Sequence, residues 1–213
     1  MDGDIAPIPE LIGLAKKYDC FLMLDEAHAS GVLGKNGRGA LEHFGVKCDE
    51  RIIQMGTLSK AFGCLGGFVC GKRDLIDYLV NRSRPFIFST SLPAALCASA
   101  LSAINIIEKN NPLRKRLWDN AKFLREGLQS AGFNTLESQT PIIPILTREP
   151  GLTMEFSRQL FKQGIFVQGI RPPTVPEGLC RLRVTVMATH TRKDLEFALE
   201  KFRKVGRKLK VCN

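Results

Sequence analysis

The sequence predicts an α/β fold, with a mostly parallel sheet and helices in its first part and a smaller α+β domain at its C-terminal end. Three observations carry this reading. Short apolar runs of strand length recur between helical patterns up to about residue 92, and the first ends in an acid followed by a glycine-rich turn, "MLDEAHASGVLGKNGRG" (Met23–Gly39). From Pro93 onward two long helical patterns follow, each opened by a proline. Beyond Gly132 strand and helix patterns alternate in shorter units that suit a small antiparallel sheet of their own.

Taken in order, Ile5 to Tyr18 reads as a short helix after Pro9, and "FLMLD" (Phe21–Asp25) as a buried parallel strand. "RIIQMG" (Arg51–Gly56) and "GFVCG" (Gly67–Gly71) are two further strands, with "RDLIDYLVNR" a helix after them. "FIFSTS" (Phe86–Ser91) reads as another short strand. Pro93 to Lys109 and Pro112 to Ala131 are helices, since proline suits the first helical turn and apolar residues recur at helical spacing. The last third supplies strands at "PIIPIL" (Pro141–Leu146), "GIFVQGI" and "CRLRVTV", with helices near Leu152 to Gln163 and from Arg192. The expected organisation is a partial large domain over 1–92, a connecting helix over 93–111 and a small α+β domain over 112–213.

Composition narrows the classes. In 213 residues, 44% hydrophobic and 24% charged side chains are enough to bury a core and to stay in water. No apolar run approaches the ~18 residues of a membrane helix, and "MDGDIAPIPE" has no basic start before an apolar stretch, so a cytoplasmic protein is expected. Seven scattered cysteines lack the close pairs of metal sites, which makes reduced thiols and no metal the expectation. The net charge of +10 suits anionic partners such as phosphate esters, coenzyme A or nucleic acid. Part of it lies in "KFRKVGRKLKVCN", which reads as the solvated face of a final helix.

In open parallel sheets ligands gather at the carboxyl ends of strands. Asp25 ends one strand and His28 follows three residues later, while Glu26 is not expected to take part in chemistry. A second strand ends in "GTLSKAFGCLGG", which carries Lys60 among small residues. A lysine desolvated between apolar strands loses proton affinity and becomes a nucleophile for aldehydes. Lys60, Asp25 and the hydroxyls of Thr57 and Ser59 together supply an amine, an anion and phosphate donors from adjacent strand ends. The letters DEAH also occur in nucleic-acid helicases, but nothing after Leu92 resembles their arginine-finger half, so no nucleic-acid partner is expected.

"TLSKAFGCLG" (Thr57–Gly66) resembles the pyridoxal-phosphate attachment signature of the class II aminotransferase-like, fold type I enzymes. "DEAHASGVLGKNGRG" resembles the matching segment of their α-oxoamine synthase branch, and the likeness continues through "STSLP" and "IRPPTVPEG". The resemblance implies a pyridoxal 5'-phosphate cofactor and an acyltransferase that condenses an amino acid with an acyl thioester, losing carbon dioxide. It implies that Lys60 binds the cofactor aldehyde and moves the substrate α-proton, that Asp25 pairs with the pyridinium nitrogen, and that His28 hydrogen-bonds the phenolic oxygen. Thr57 would hold the phosphate, Ser89, Thr90 and Ser91 would approach the phosphate bound by the other subunit of a homodimer, Arg171 would clamp the amino-acid carboxylate, and Thr174 would line the acyl site.

"GIRPPTVPEG" with "FSTSLP" resembles most the branch members that use L-alanine and pimeloyl-coenzyme A, or a pimeloyl carrier protein, in biotin synthesis. Members that use glycine and an acetyl thioester, or non-catalytic partner subunits of the same fold, stay open at this point. Sequences of the branch are about twice as long, and this one begins where theirs are well under way. The expectation is a fragment, inactive alone, without the phosphate loop and the ring that stacks on the pyridine.

Overall fold

The computed structural model describes residues 1–109 and 111–212. Two compact units are present: Ala6–Arg114, and Met1–Ile5 together with the chain from Lys115 onward.

The first unit opens with α1 (Ile8–Lys17), whose Pro9 occupies the first turn and whose Ile8, Ile12 and Ala15 form the buried stripe. The strands β1 (Leu22–Asp25), β2 (Ile52–Thr57) and β3 (Gly67–Cys70) form a sheet in the order β1-β2-β3. The β1–β2 pair is parallel, with Asp25 opposite Met55, and carries the short α2 (Ala40–His43) in its crossover. The β2–β3 pair is antiparallel, so the mostly parallel expectation holds for only one of the two pairings among the described residues. The reason is the connection: Leu58–Gly66 is shorter than the roughly dozen residues a parallel crossover needs.

After α3 (Arg73–Arg82), the expected strand "FIFSTS" is instead the helical turn α4 (Arg84–Ile87) followed by irregular chain. Ser83 carbonyl accepts from Phe86 and Ile87 N–H, and Pro85 fits the first turn, while no strand among the described residues offers it a ladder. The aromatic residues that suggested a strand stay exposed. The helix α5 (Ala94–Lys109) lies within this unit rather than standing apart as a connector, and α6 (Asn111–Ser130) begins there.

The second unit is an antiparallel sheet in the order β4-β6-β5, from β4 (Ile142–Arg148), β5 (Gln168–Ile170) and β6 (Cys180–Thr185). Against it pack α6, α7 (Pro150–Lys162) and α8 (Arg192–Lys208). Phe133, Phe156 and Phe202 meet at its centre with ring centroids 6.1–6.5 Å apart, two of the three pairs edge to face. Thr191 caps α8 reciprocally with Asp194. The first residues are pinned to this unit: Gly3 carbonyl accepts from Gln139 (2.8 Å) and Thr140 (3.0 Å), and Asp2 pairs with the buried Arg181. At φ +73°, a Cβ on Gly3 would stand 2.0 Å from Ile142 carbonyl oxygen, so only glycine fits.

Candidate active site

At the end of β1 consecutive side chains point to opposite faces, which separates the two acids. Asp25 is exposed and turns Oδ1 back to accept Ala27 N–H at 2.9 Å. Glu26 is 2% exposed; its two oxygens accept Ala40 N–H at 3.1 and 3.0 Å, and Oε1 also accepts from Gln54 Nε2 at 3.5 Å. Burial pushes its carboxyl above the ordinary glutamate range, with the Ala40 and Gln54 hydrogen bonds working against that rise. His28 lies exposed in the following turn, which Ala29 and Ser30 N–H close onto Glu26 carbonyl.

The glycine turn that follows is tightly built. Gly31 N–H donates to Gly37 carbonyl (2.8 Å), and Glu42 accepts from the backbone N–H groups of Asn36 (2.9 Å) and Arg38 (3.0 Å). Slight burial works against it, but these bonds hold the Glu42 carboxyl below its ordinary range. From the end of α5 and the start of α6, Ile107 carbonyl and Asn111 Oδ1 orient the buried Arg114, whose Nη2 donates to Lys35 carbonyl at 2.6 Å. Gly31 has φ +81°, and a Cβ there would stand 2.7 Å from Ala61 Cβ. The turn therefore rests directly against the residue after Lys60.

The loop bearing Lys60 is closed at its base by Leu58 N–H to Gly66 carbonyl (2.9 Å) and Cys64 N–H to Leu58 carbonyl (2.7 Å). Thr57 Oγ1 lies 2.7 Å from Ser59 Oγ, 3.1 Å from Gly66 carbonyl, and accepts Ser59 N–H at 3.2 Å. Lys60 stands at the tip and is exposed, so the expected desolvation between apolar strands is absent: a nine-residue hairpin loop carries the amine beyond the sheet. Ser89, Thr90 and Ser91 are exposed as well, and the chain just after them lies beside the loop's base, where Leu92 Cδ1 would meet a Cβ on Gly66 at 2.9 Å. Asp25, Thr57, Lys60 and the 89–92 segment thus gather at one end of the first unit's sheet.

Arg171 and Thr174 belong to the second unit, in the loop after β5, where Thr174 N–H donates to Arg171 carbonyl at 3.1 Å; both side chains are exposed. Two anchors of the first unit escaped the sequence reading. Strand alternation alone places Glu26 opposite Asp25 and so carried a signal for it. Arg114 had none, because its acceptor on Lys35 is 79 residues away.

Residues 1–202 match the family described as Aminotransferase class I and II. The chain belongs to that family. The DEAH letters are therefore an aminotransferase-family segment and not a helicase box. The chain is 52% identical over 212 residues to 8-amino-7-oxononanoate synthase of Thermosipho melanesiensis, covering 99% of this chain and 54% of that one. It superposes with TM-score 0.92 and 34% identity on a high-resolution structure of SPT with a PLP internal aldimine, covering 98% of this chain and 53% of that one. On the 8-amino-7-oxononanoate synthase of Francisella tularensis the TM-score is 0.81 at 32% identity, covering 93% and 58%. The chain spans about half the length of the curated relatives it matches. The family's fold is α/β, and no helix among the described residues is long and apolar enough to cross a membrane.

Proposed function

We propose that these residues carry the pyridoxal-phosphate site of a cytoplasmic α-oxoamine synthase acting as a homodimer. In this reading the whole protein condenses L-alanine with a pimeloyl thioester, on coenzyme A or a carrier protein, to 8-amino-7-oxononanoate and carbon dioxide. The observation that carries it is the placement of a lysine and a carboxylate at neighbouring strand ends, in a chain 52% identical to an enzyme of that name. The donor set suits the cofactor: an exposed amine for its aldehyde, a carboxylate that spends Oδ1 on its own turn, and the paired hydroxyls of Thr57 and Ser59 for its phosphate.

When bound, the cofactor supplies an electron sink for a carbanion at the amino-acid α-carbon. Lys60 would hold the aldehyde carbon through its amine and, once freed, would take and return the proton at that α-carbon. Asp25 would keep the ring nitrogen protonated, and His28 would hydrogen-bond the phenolic oxygen. Thr57 would hold the phosphate, with Ser89 and Thr90 serving that bound by the partner subunit. Arg171 takes the amino-acid carboxylate through its planar guanidinium, and Thr174 contacts the acyl chain.

Reduction with borohydride in the presence of pyridoxal phosphate, followed by peptide mapping, tests the site: the tag is expected on Lys60 and absent in Lys60→Ala. A tag spread evenly over surface lysines would reject it. In the whole protein, Lys60→Ala is expected to lower turnover by about 10³-fold or more. A second reading, a synthase for another amino acid and thioester, draws on the higher TM-score to the SPT structure. Product analysis with L-alanine, glycine and L-serine against pimeloyl, acetyl and palmitoyl thioesters separates the two.

A further inference from the structure

We propose that Glu26 is a positioning residue for Lys60, acting through the glycine turn and β2; the inference rests on the role of Lys60 proposed above. A buried carboxylate is expensive to retain unless its hydrogen bonds repay desolvation, and Glu26 is enclosed while its neighbour Asp25 is exposed. Its bonds reach two elements. The carboxylate takes Ala40 N–H, the exit of the glycine turn, with both oxygens, and takes Gln54 Nε2 on β2. Its own N–H donates to Met55 carbonyl at 2.7 Å, two residues before Thr57. Gly39, between the turn and Ala40, has φ +98°, and a Cβ there would stand 2.5 Å from Glu26 Oε2, so the backbone closes directly on the carboxylate.

The far end of the same turn meets the lysine loop. Gly31 lies against Ala61, and hydrogen bonds from Gly31 N–H to Gly37 carbonyl and from Gly39 N–H to Leu33 carbonyl make the two ends of the turn one body. Backbone bonds close the loop's base and the turn from Lys60 to Gly63, all within the loop, so its tilt over the sheet is set by what it leans on: Cys64 Sγ donates to Leu96 carbonyl at 3.2 Å, and Gly31 lies against Ala61. Removing the carboxylate leaves Ala40 N–H unsatisfied and frees the turn to drift, withdrawing support from Ala61. Asp25 keeps its orientation, because its bond to Ala27 N–H is local.

The test compares Glu26→Ala with Glu26→Gln, which keeps an acceptor for Ala40 N–H, in the full chain. In hydrogen exchange followed by mass spectrometry, amides of the Leu58–Cys64 segment are expected to exchange roughly tenfold faster in Glu26→Ala, near the parent rate in Glu26→Gln, and β4 amides unchanged in both. Borohydride tagging of Lys60 with pyridoxal phosphate is expected to fall in Glu26→Ala and recover in Glu26→Gln, a pattern that a purely stabilising role would not give. Unchanged exchange in Glu26→Ala, or equal loss in both variants, overturns the proposal. If Glu26→Ala does not fold, Gly31→Ala probes the same coupling from the other end and must also speed exchange over Leu58–Cys64. Absence of Lys60 tagging in the parent protein rejects the cofactor reading, while the exchange data still decide the mechanical link.

Discussion

The two units of this chain solve the same burial problem differently. In the second unit, Phe156, Leu128, Ile143, Ile145, Leu160 and Leu182 are fully enclosed between a three-stranded sheet and three helices. In the first, α3 buries no residue, and Phe21, Met23, Tyr78, Phe88 and Leu101 are each more than half exposed. The first unit nevertheless holds the lysine, the acids and the most elaborate turn. Its polar architecture is finished while several of its apolar side chains are open, so hydrogen bonds share the work of holding the candidate site in shape with a small core around Leu24, Leu33, Leu41 and Ile52.

The largest expected effect tests that contrast directly. Phe156→Ala removes the centre of an aromatic trio and is expected to cost about 3–5 kcal/mol. Phe88→Ala, on the open face of the first unit, is expected to change stability by less than about 0.5 kcal/mol. Urea unfolding of both variants checks the pair, and similar losses would show that the first unit has a core of equal weight. Next in size, Thr191→Ala breaks the reciprocal cap of α8 and is expected to cost about 1 kcal/mol, read in the same unfolding experiment.

The smallest effect distinguishes the two carboxylates that serve the glycine turn. Glu26 has a raised folded value, so the folded state binds its proton first: its contribution is fully present below the unfolded value and is lost as pH rises through the folded one. Glu42 has a lowered folded value, so its contribution is present above the unfolded value and lost as pH falls through the folded one. Stability against pH is therefore expected to flatten above the ordinary glutamate value in Glu26→Gln and below it in Glu42→Gln. The same slopes in both variants would refute the opposed signs.

Much of the candidate site was legible because it is local. Asp25, Thr57 and Lys60 sit at strand ends that apolar runs and turn residues mark within a few positions, and parallel pairing of the first two strands puts those ends side by side. Arg114 was not legible, since nothing in its neighbourhood announces a carbonyl on Lys35. The segment at Phe86–Ser91 misled for a related reason: aromatic and apolar residues favour a strand only where a neighbour supplies a ladder, and none does here.

By itself, the sequence determined most of the elements, all but the short α2 and α4, because helical and alternating periodicities, proline positions and glycine turns act over a few residues. The tertiary structure alone decided how they are used. It enclosed Glu26 while leaving Asp25 and Lys60 open, and set Gly31 against Ala61. These outcomes depend on contacts between residues distant in the chain, and no local pattern encodes which of two available faces a neighbour will cover.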